Sequence, residues 1–195
     1  MNTGSIGLKR GTVRVVPFNP DWLMVFQVEQ DLLRNSLGSK VLEIRHVGST
    51  AIPGMPAKPI IDILAAVRDL ADVSDFVDAL VRLGYEDKGD GSVAGRRFFV
   101  KGTEAARTHH LNFYEMNSPG WTTHILFYEY LTSHKELAKQ YAELKLKLAT
   151  DFPTNRASYT DGKESFVAAV VEMAARDRNL IMRSRLELGD ESHAG

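Results

Sequence analysis

The sequence contains no cysteine among its 195 residues. Disulfide bonds, cysteine nucleophiles and thiolate metal sites are therefore excluded. Long hydrophobic runs are also missing, and residues 1–10 include no apolar stretch of the kind that forms the centre of a secretory signal. From these absences we expect a cytoplasmic protein without a membrane partner.

An excess of charge of one sign is missing as well, because 24 Lys and Arg against 25 Asp and Glu give a formal net charge of −1. This balance offers no bulk attraction to nucleic acid, so we expect no nucleic-acid partner. A chain of this length builds one sizeable core. We predict one domain over 12–185, with an α/β core at 12–118, a helical part at 119–185, and flexible tails at 1–11 and 186–195.

Hydrophobic periodicity predicts strands mixed with helices as far as residue 115 and helices alone afterwards. The predicted strands are 41–47, 59–67, 97–101 and 108–115, with a short edge strand at 13–16. The predicted helices are 21–37, 122–133, 135–151 and 162–185, with a further helical pattern at 70–81. This order indicates an α+β fold in which a mixed β-sheet is covered by helices and carries a C-terminal helical cap.

The chemistry is concentrated at the junction of the two central strands. Gly48, Ser49 and Thr50 follow the first strand, and Asp62 interrupts the second apolar run. Backbone N–H groups and hydroxyls left free after a strand suit a phosphate, and a Cβ at position 48 would block its approach. A buried acid is costly unless it is paired, hydrogen-bonded or bound to a cation. We therefore predict a phosphate site at residues 48–50 and a Mg²⁺ ligand at Asp62.

Both predictions have a structural alternative that the residues leave open. Ser49 would equally suit a tight strand-to-helix turn, where its hydroxyl caps the helix. Asp62 would equally suit a carboxylate held by backbone N–H groups or by an arginine such as Arg45.

The spacing of Gly48-Ser49, twelve residues and Asp62 resembles the signature of the polymerase-β-type nucleotidyltransferase superfamily. The longer stretch from His46 to Asp62 resembles the hallmark of the GrpB family, and segments at 95–102 and 107–111 agree with it. The likeness covers nearly the whole chain. It implies a nucleotidyltransferase-like fold, a nucleotide or another anionic small molecule as ligand, and Mg²⁺, with Mn²⁺ as a substitute.

The resemblance also implies roles for residues outside the first motif. Lys58, Arg97 and Lys163 fall in segments similar to family motifs and are expected to bind phosphate. His46 and Tyr159 are expected to orient the substrate.

The strand at 108–115 carries two more candidate residues. Alternation turns Leu111 toward the core, and His110 and Asn112 toward the cleft. His110 is then either a catalytic base near neutral pH or a hydrogen-bonded structural imidazole, and Asn112 is expected to orient the substrate.

Residue 64 departs from the superfamily pattern. Strand periodicity places it on the same face as Asp62, where working nucleotidyltransferases carry a second carboxylate, but here it is Leu64. Two functions therefore remain open. One is metal-dependent nucleotidyl transfer from an NTP to a small acceptor. The other is an accessory protein that binds a nucleotide or small molecule without transfer, as the resemblance to GrpB-like domains fused to dephospho-CoA kinase implies.

Overall fold

The centre of the molecule is a five-stranded mixed sheet in a computed structural model that describes residues 6–191, and their side chains as far as residue 178. The strands are β1 (Val41–Val47), β2 (Ile61–Val67), β3 (Tyr85–Asp87), β4 (Arg97–Gly102) and β5 (Arg107–Glu115). Their order across the sheet is β1-β2-β5-β4-β3. The central pair, β2 and β5, is parallel, and the other neighbouring pairs are antiparallel.

Within residues 6–191, six α-helices pack around this sheet. They are α1 (Asp21–Leu37), α2 (Val77–Arg82), α3 (Pro119–Ser133), α4 (Lys135–Asp151), α5 (Arg156–Asp161) and α6 (Glu164–Glu191). Local capping sets where two of them begin. The Asn19 side chain accepts the backbone N–H of Asp21 at 2.9 Å, and the Ser118 hydroxyl accepts that of Trp121, with Pro119 at the first helical position.

The two faces of the sheet differ because successive side chains of a strand point in opposite directions. One face presents Ile63, Leu111 and Phe113 to a core that α1 completes with Trp22 and Leu33. Full burial of side chains of this kind contributes about 1.5–3 kcal/mol each, so this face holds most of the stability.

The opposite face of the sheet carries Asp62, Leu64 and the side chains that neighbour them on β5. Helix α3 covers its Leu64 end through Trp121 and Ile125. The Asp62 end of this face borders a cavity instead.

Helices α4, α5 and α6 form a second layer across that cavity. Residues of α4 and α6 pack on the connection between β1 and β2, with Ile52, Met55, Tyr141 and Val170 in one apolar cluster. The Tyr159 ring of α5 is buried beside them. The α+β class, the mixed sheet and the C-terminal helical cap predicted from the sequence are thus confirmed.

Several boundaries differ from the prediction. The pattern at 70–81 forms a 3₁₀ helix, Leu70–Phe76, before α2 begins. The edge strand predicted at 13–16 is reduced to one bridge between Val16 and Ala57. β3 and α5 were not predicted, because three and six residues respectively are too few to show a periodic pattern.

The structure describes parts of both predicted tails. Helix α6 continues to Glu191, so 186–191 is helical. At the other end, Leu8 is buried and pairs with Arg107 in a β-bridge. Residues 1–5 and 192–195 lie outside the described residues. Throughout the part of the chain that the structure describes, every helix is too short or too polar to cross a bilayer.

Candidate anion-binding site

The turn after β1 and the acid of β2 open into one shared cavity of about 240 Å³. Gly48, Ser49, Thr50, Asp62 and His110 line its sheet side. The helical side is lined by Tyr141 and Lys145 from α4, Arg156, Tyr159 and Thr160 from α5, and Lys163; Lys58 belongs to the connection before β2. The site therefore draws on both layers of the fold.

Gly48 admits the Asp62 carboxylate to this cavity. Its backbone has φ 69° and ψ −169°, a region that is essentially restricted to glycine. A Cβ on residue 48 would lie 2.7 Å from Asp62 Oδ2. The missing side chain was expected to make room for a phosphate, and here it makes room for the carboxylate.

Gly48→Ala is expected to lower the free energy of unfolding by about 3 kcal/mol, because backbone strain and the collision with Asp62 each cost roughly 1–3 kcal/mol. Gly54→Ala is the matched control, since Gly54 also has a positive φ, 78°, but no atom lies within 4 Å of its added Cβ. Urea unfolding of both variants measures the difference. Equal losses would contradict the close approach of Asp62 to residue 48.

Ser49 makes its main contact with a lysine that the sequence analysis missed. Lys145 Nζ donates to Ser49 Oγ at 2.8 Å and to the Pro56 carbonyl oxygen at 2.5 Å, and it lies 4.7 Å from the centre of the Tyr141 ring. The Ser49 side chain does not cap the short 3₁₀ helix Ser49–Ala51, so the capping alternative is wrong.

Burial and repulsion between their charges lower the pKa values of two lysines of the cavity, Lys145 and Lys58. Lys145 is 2% exposed, and burial, followed by the charges of Lys163 and Lys58, lowers its pKa to about 7. Burial and the charge of Lys163 lower the pKa of Lys58 to about 8. Both Lys58 and Lys163 place their ammonium groups over the Tyr159 ring, 5.2 and 4.7 Å from its centre. Holding these buried cations close together therefore costs free energy, and a bound anion would reduce that cost.

Asp62 is held by histidine rather than by arginine. His110 Nδ1 lies 2.9 Å from Asp62 Oδ1, whereas Arg45 pairs with Glu43 and Glu129. Burial alone would raise the pKa of Asp62, but the hydrogen bond from His110 and the nearby charges outweigh it, so the pKa lies below its ordinary value. His110 is thus the hydrogen-bond partner of the Asp62 carboxylate within the cavity.

Three predicted site residues do not line this cavity: Arg97, His46 and Asn112. Arg97 lies on the core face of β4 and pairs with Asp87, because strand alternation turns it away from His110. His46 stacks on Phe26 with ring centres 4.7 Å apart.

His46 nevertheless contacts a residue that lines the cavity, and Asn112 contacts strand β2. The ring of His46 lies 3.0 Å from Thr50 Oγ1, and burial lowers its pKa to about 4, so it is a neutral support for Thr50. Asn112 is on the cleft side, as predicted, but its amide is engaged with the Ile63 carbonyl oxygen and with Arg96.

The side chains around Asp62 do not fit a protein-held Mg²⁺. This ion requires several oxygen ligands in near-octahedral geometry. Asp62 is the one carboxylate lining the cavity among the described residues, one of its oxygens is engaged by His110, and Leu64 is fully buried under α3. Within 6–178, no group of three or more histidine and acidic side chains is arranged to hold a metal ion.

The sheet and the position of the cavity define a nucleotidyltransferase-type fold. A Cid1 poly(U) polymerase structure with Mg 3′-dATP bound is similar with a TM-score of 0.50 and 16% identity, over 75% of this chain and 49% of that chain. At this identity the likeness concerns the fold alone.

The chain belongs to the GrpB family, because the family model described as GrpB protein matches residues 12–173. The crystal structure of the conserved protein GrpB from Enterococcus faecalis is 32% identical with a TM-score of 0.79, covering 85% of this chain and 99% of that one. The glutamate-rich protein GrpB of Alkalihalophilus pseudofirmus is 36% identical over 85% of this chain and 98% of its own length.

Two other relatives are longer than the matched region. The protein YqkA of Bacillus subtilis is 40% identical over 84% of this chain but only 48% of its own length, so this chain spans about half of that relative. A dephospho-CoA kinase of Mycobacterium tuberculosis is 26% identical over 80% of this chain and 44% of its own length.

Proposed function

We propose that this chain binds a phosphorylated small molecule, a nucleotide in the first instance, through its phosphate groups and without a metal held by the protein. The observation that carries the proposal is Lys145, a buried ammonium aimed at Ser49 with Lys58 and Lys163 nearby. In this role the protein acts as an accessory or carrier of the ligand and does not transfer its nucleotidyl group.

The energetics of the lysines support an anionic ligand. An ammonium whose pKa falls from 10.5 to about 7 has lost favourable solvation that the protein does not fully replace. A phosphate in the cavity would accept charge-assisted hydrogen bonds from Lys145 and from the hydroxyls of Ser49 and Thr50. The pKa values of the lysines would rise again, so binding and protonation reinforce each other.

The size of the cavity supports recognition of the anionic part of the ligand. At about 240 Å³, it lies below the range of roughly 300–1,000 Å³ that encloses whole drug-sized molecules. Phosphate groups fit within it, and the rest of a nucleotide would extend out of it.

Metal-dependent nucleotidyl transfer is the second candidate, and one observation favours it. The Asp62 side chain is 38% exposed and faces the same cavity as Ser49, so it is accessible to a cation that arrives with an NTP. The single carboxylate and the neighbouring Leu64 weigh against this candidate.

Calorimetric titration with ATP distinguishes the two. We expect saturable binding in EDTA, with an affinity that Mg²⁺ changes by less than about threefold, because cations of the protein neutralise the phosphates. Binding that appears only with Mg²⁺ or Mn²⁺, together with release of pyrophosphate in the presence of an acceptor, would favour transfer. No binding of ATP or orthophosphate under either condition would contradict the proposal.

A further inference from the structure

A second cavity, of about 140 Å³, adjoins the first. The two share Lys58, Ile60, His110 and Arg156 in their walls. Their contiguity matters because neither alone reaches the roughly 300 Å³ at the lower end of small-molecule sites.

Residues 8–12 build one wall of this second cavity. Leu8 and Arg107 exchange two backbone hydrogen bonds of 3.0 and 2.8 Å, and the Gly7 N–H donates to the Pro59 carbonyl oxygen at 2.8 Å. The segment is therefore attached both to β5 and to the chain just before β2.

Arg107 is an incompletely satisfied buried cation in this wall. Its side chain is 7% exposed, and its Nη1 has no hydrogen-bond partner. The acids around it, Glu86 at 3.8 Å from Nη1 and Glu104 at 3.5 Å from Nη2, are 59% and 64% exposed. They are also shared with Lys88 and Arg10. A buried guanidinium normally has its donors paired by hydrogen bonds, so Nη1, which faces Glu86 at 3.8 Å without a hydrogen bond, marks a position for a closer acceptor.

The charged side chains that line the second cavity are cationic, and Glu86 and Glu104 offset part of their charge from outside the lining. Its lining contains six cationic side chains, those of Lys9, Arg10, Lys58, Lys88, Arg107 and Arg156, and no carboxylate among the residues that the structure describes. The apolar side chains of Phe98 and Val100 also line it. Such a lining is expected to disfavour cations and to attract an anionic group attached to an apolar or extended body.

We propose that Arg107 forms a second anion subsite, so that the ligand of this protein carries two separated anionic groups. One group lies with Lys145 in the first cavity, and the other, a phosphate or carboxylate, lies with Arg107 in the second. This inference rests on the proposed function, because the first group is the phosphate assigned there. The guanidinium suits the second group since its fixed fork can bind two oxygens at once. Because both groups belong to one ligand, binding of the first holds the second close to its subsite, and this raised local concentration strengthens the second contact.

The test uses the full chain with two probes, orthophosphate and long-chain linear polyphosphate, titrated at one ionic strength. Arg107→Gln is expected to weaken polyphosphate binding at least tenfold and to change orthophosphate binding less than twofold. Arg107→Lys keeps the charge but loses the fork, and should lie between the two. Arg14→Gln is the matched control, because Arg14 is exposed and lines neither cavity.

A second variant tests the same subsite if Arg107→Gln fails to fold. Lys9 is exposed at the rim of the second cavity, and Lys9→Gln should weaken polyphosphate binding about two- to threefold, leaving orthophosphate unaffected. If both variants bind polyphosphate as tightly as the wild type while Lys145→Met abolishes orthophosphate binding, the second subsite is refuted and the proposed function stands. If the wild-type chain binds neither probe, both proposals fail.

Discussion

Replacement of Lys145 by methionine is expected to reduce ATP affinity about 100-fold, equivalent to ~3 kcal/mol. Lys145 is the most deeply buried cation of the cavity, and its ammonium contacts the Ser49 hydroxyl directly. Methionine keeps most of the length of the side chain but removes the charge and the donors. Calorimetric titration with ATP at pH 7 measures the loss.

The same variant should be at least as stable as the wild type below pH 7. A pKa lowered from 10.5 to about 7 corresponds to roughly 5 kcal/mol of unfavourable ionisation in the folded state. This exceeds the roughly 1–3 kcal/mol that is lost when hydrogen-bond partners are left unpaired. A higher thermal midpoint with lost binding would identify Lys145 as a functional rather than a structural residue.

Lys147→Met is the control for both measurements. Lys147 lies one half-turn along α4 with its side chain 74% exposed, paired with Asp151. We expect its ATP affinity within twofold of the wild type. An unchanged affinity in Lys145→Met, or an equal loss in Lys147→Met, would contradict the assignment of Lys145.

The affinity for ATP is expected to fall at least tenfold between pH 7 and pH 9. In the free protein, Lys145 loses its proton near pH 7 and Lys58 near pH 8. Below pH 7 both are charged and ready to bind; above these values, binding must first restore the protons. Each group can therefore reduce the affinity by up to tenfold per pH unit above its own pKa. Titrations in two buffers of different ionisation enthalpy should detect proton uptake at pH 8.

Stability should change in the opposite direction over the same range. Between pH 7 and 10.5, Lys145 holds a proton in the unfolded chain but not in the folded one, so the free energy of unfolding rises with pH. Lys145→Met should lack this part of the rise. Affinity that is flat from pH 7 to 9, with no proton uptake, would show that the lysines keep ordinary pKa values.

The sequence was sufficient for the secondary structure that determines the faces of the sheet. Strand β1 and helices α1 and α4 have the predicted bounds, because their apolar patterns are long and regular. Strand alternation also predicted that His110 would share a face with Asp62, as the register between β2 and β5 confirms. Gly48, Ser49 and Asp62 were placed together because adjacent strands bring their ends to one edge.

Contacts between the two layers could not be predicted in this way. Lys145 lies in a lysine-rich helix, and only its position between Tyr141 and Leu148 on the buried stripe of α4 distinguishes it from its exposed neighbours. A lysine at an apolar position of a helical pattern was the available signal. Arg97 was predicted from its family-like segment alone, but strand alternation turns its side chain to the core face of β4.

The role of residues 8–12 was equally invisible in the sequence. Their polar, glycine-containing composition is typical of a loose terminus, but backbone pairing of Leu8 with Arg107 is insensitive to composition. Such long-range backbone contacts leave no periodic pattern.

Titration of ATP into wild-type protein and Asp62→Asn, in EDTA and in Mg²⁺, tests the central claim most directly. Asp62 is the carboxylate beside the proposed phosphate position, so in EDTA its neutralisation should remove repulsion and strengthen ATP binding by about three- to tenfold. Metal should add little to either protein. If wild-type binding requires Mg²⁺ and Asp62→Asn abolishes it, the cavity is a metal-dependent nucleotide site and metal-free phosphate binding by the lysines is refuted.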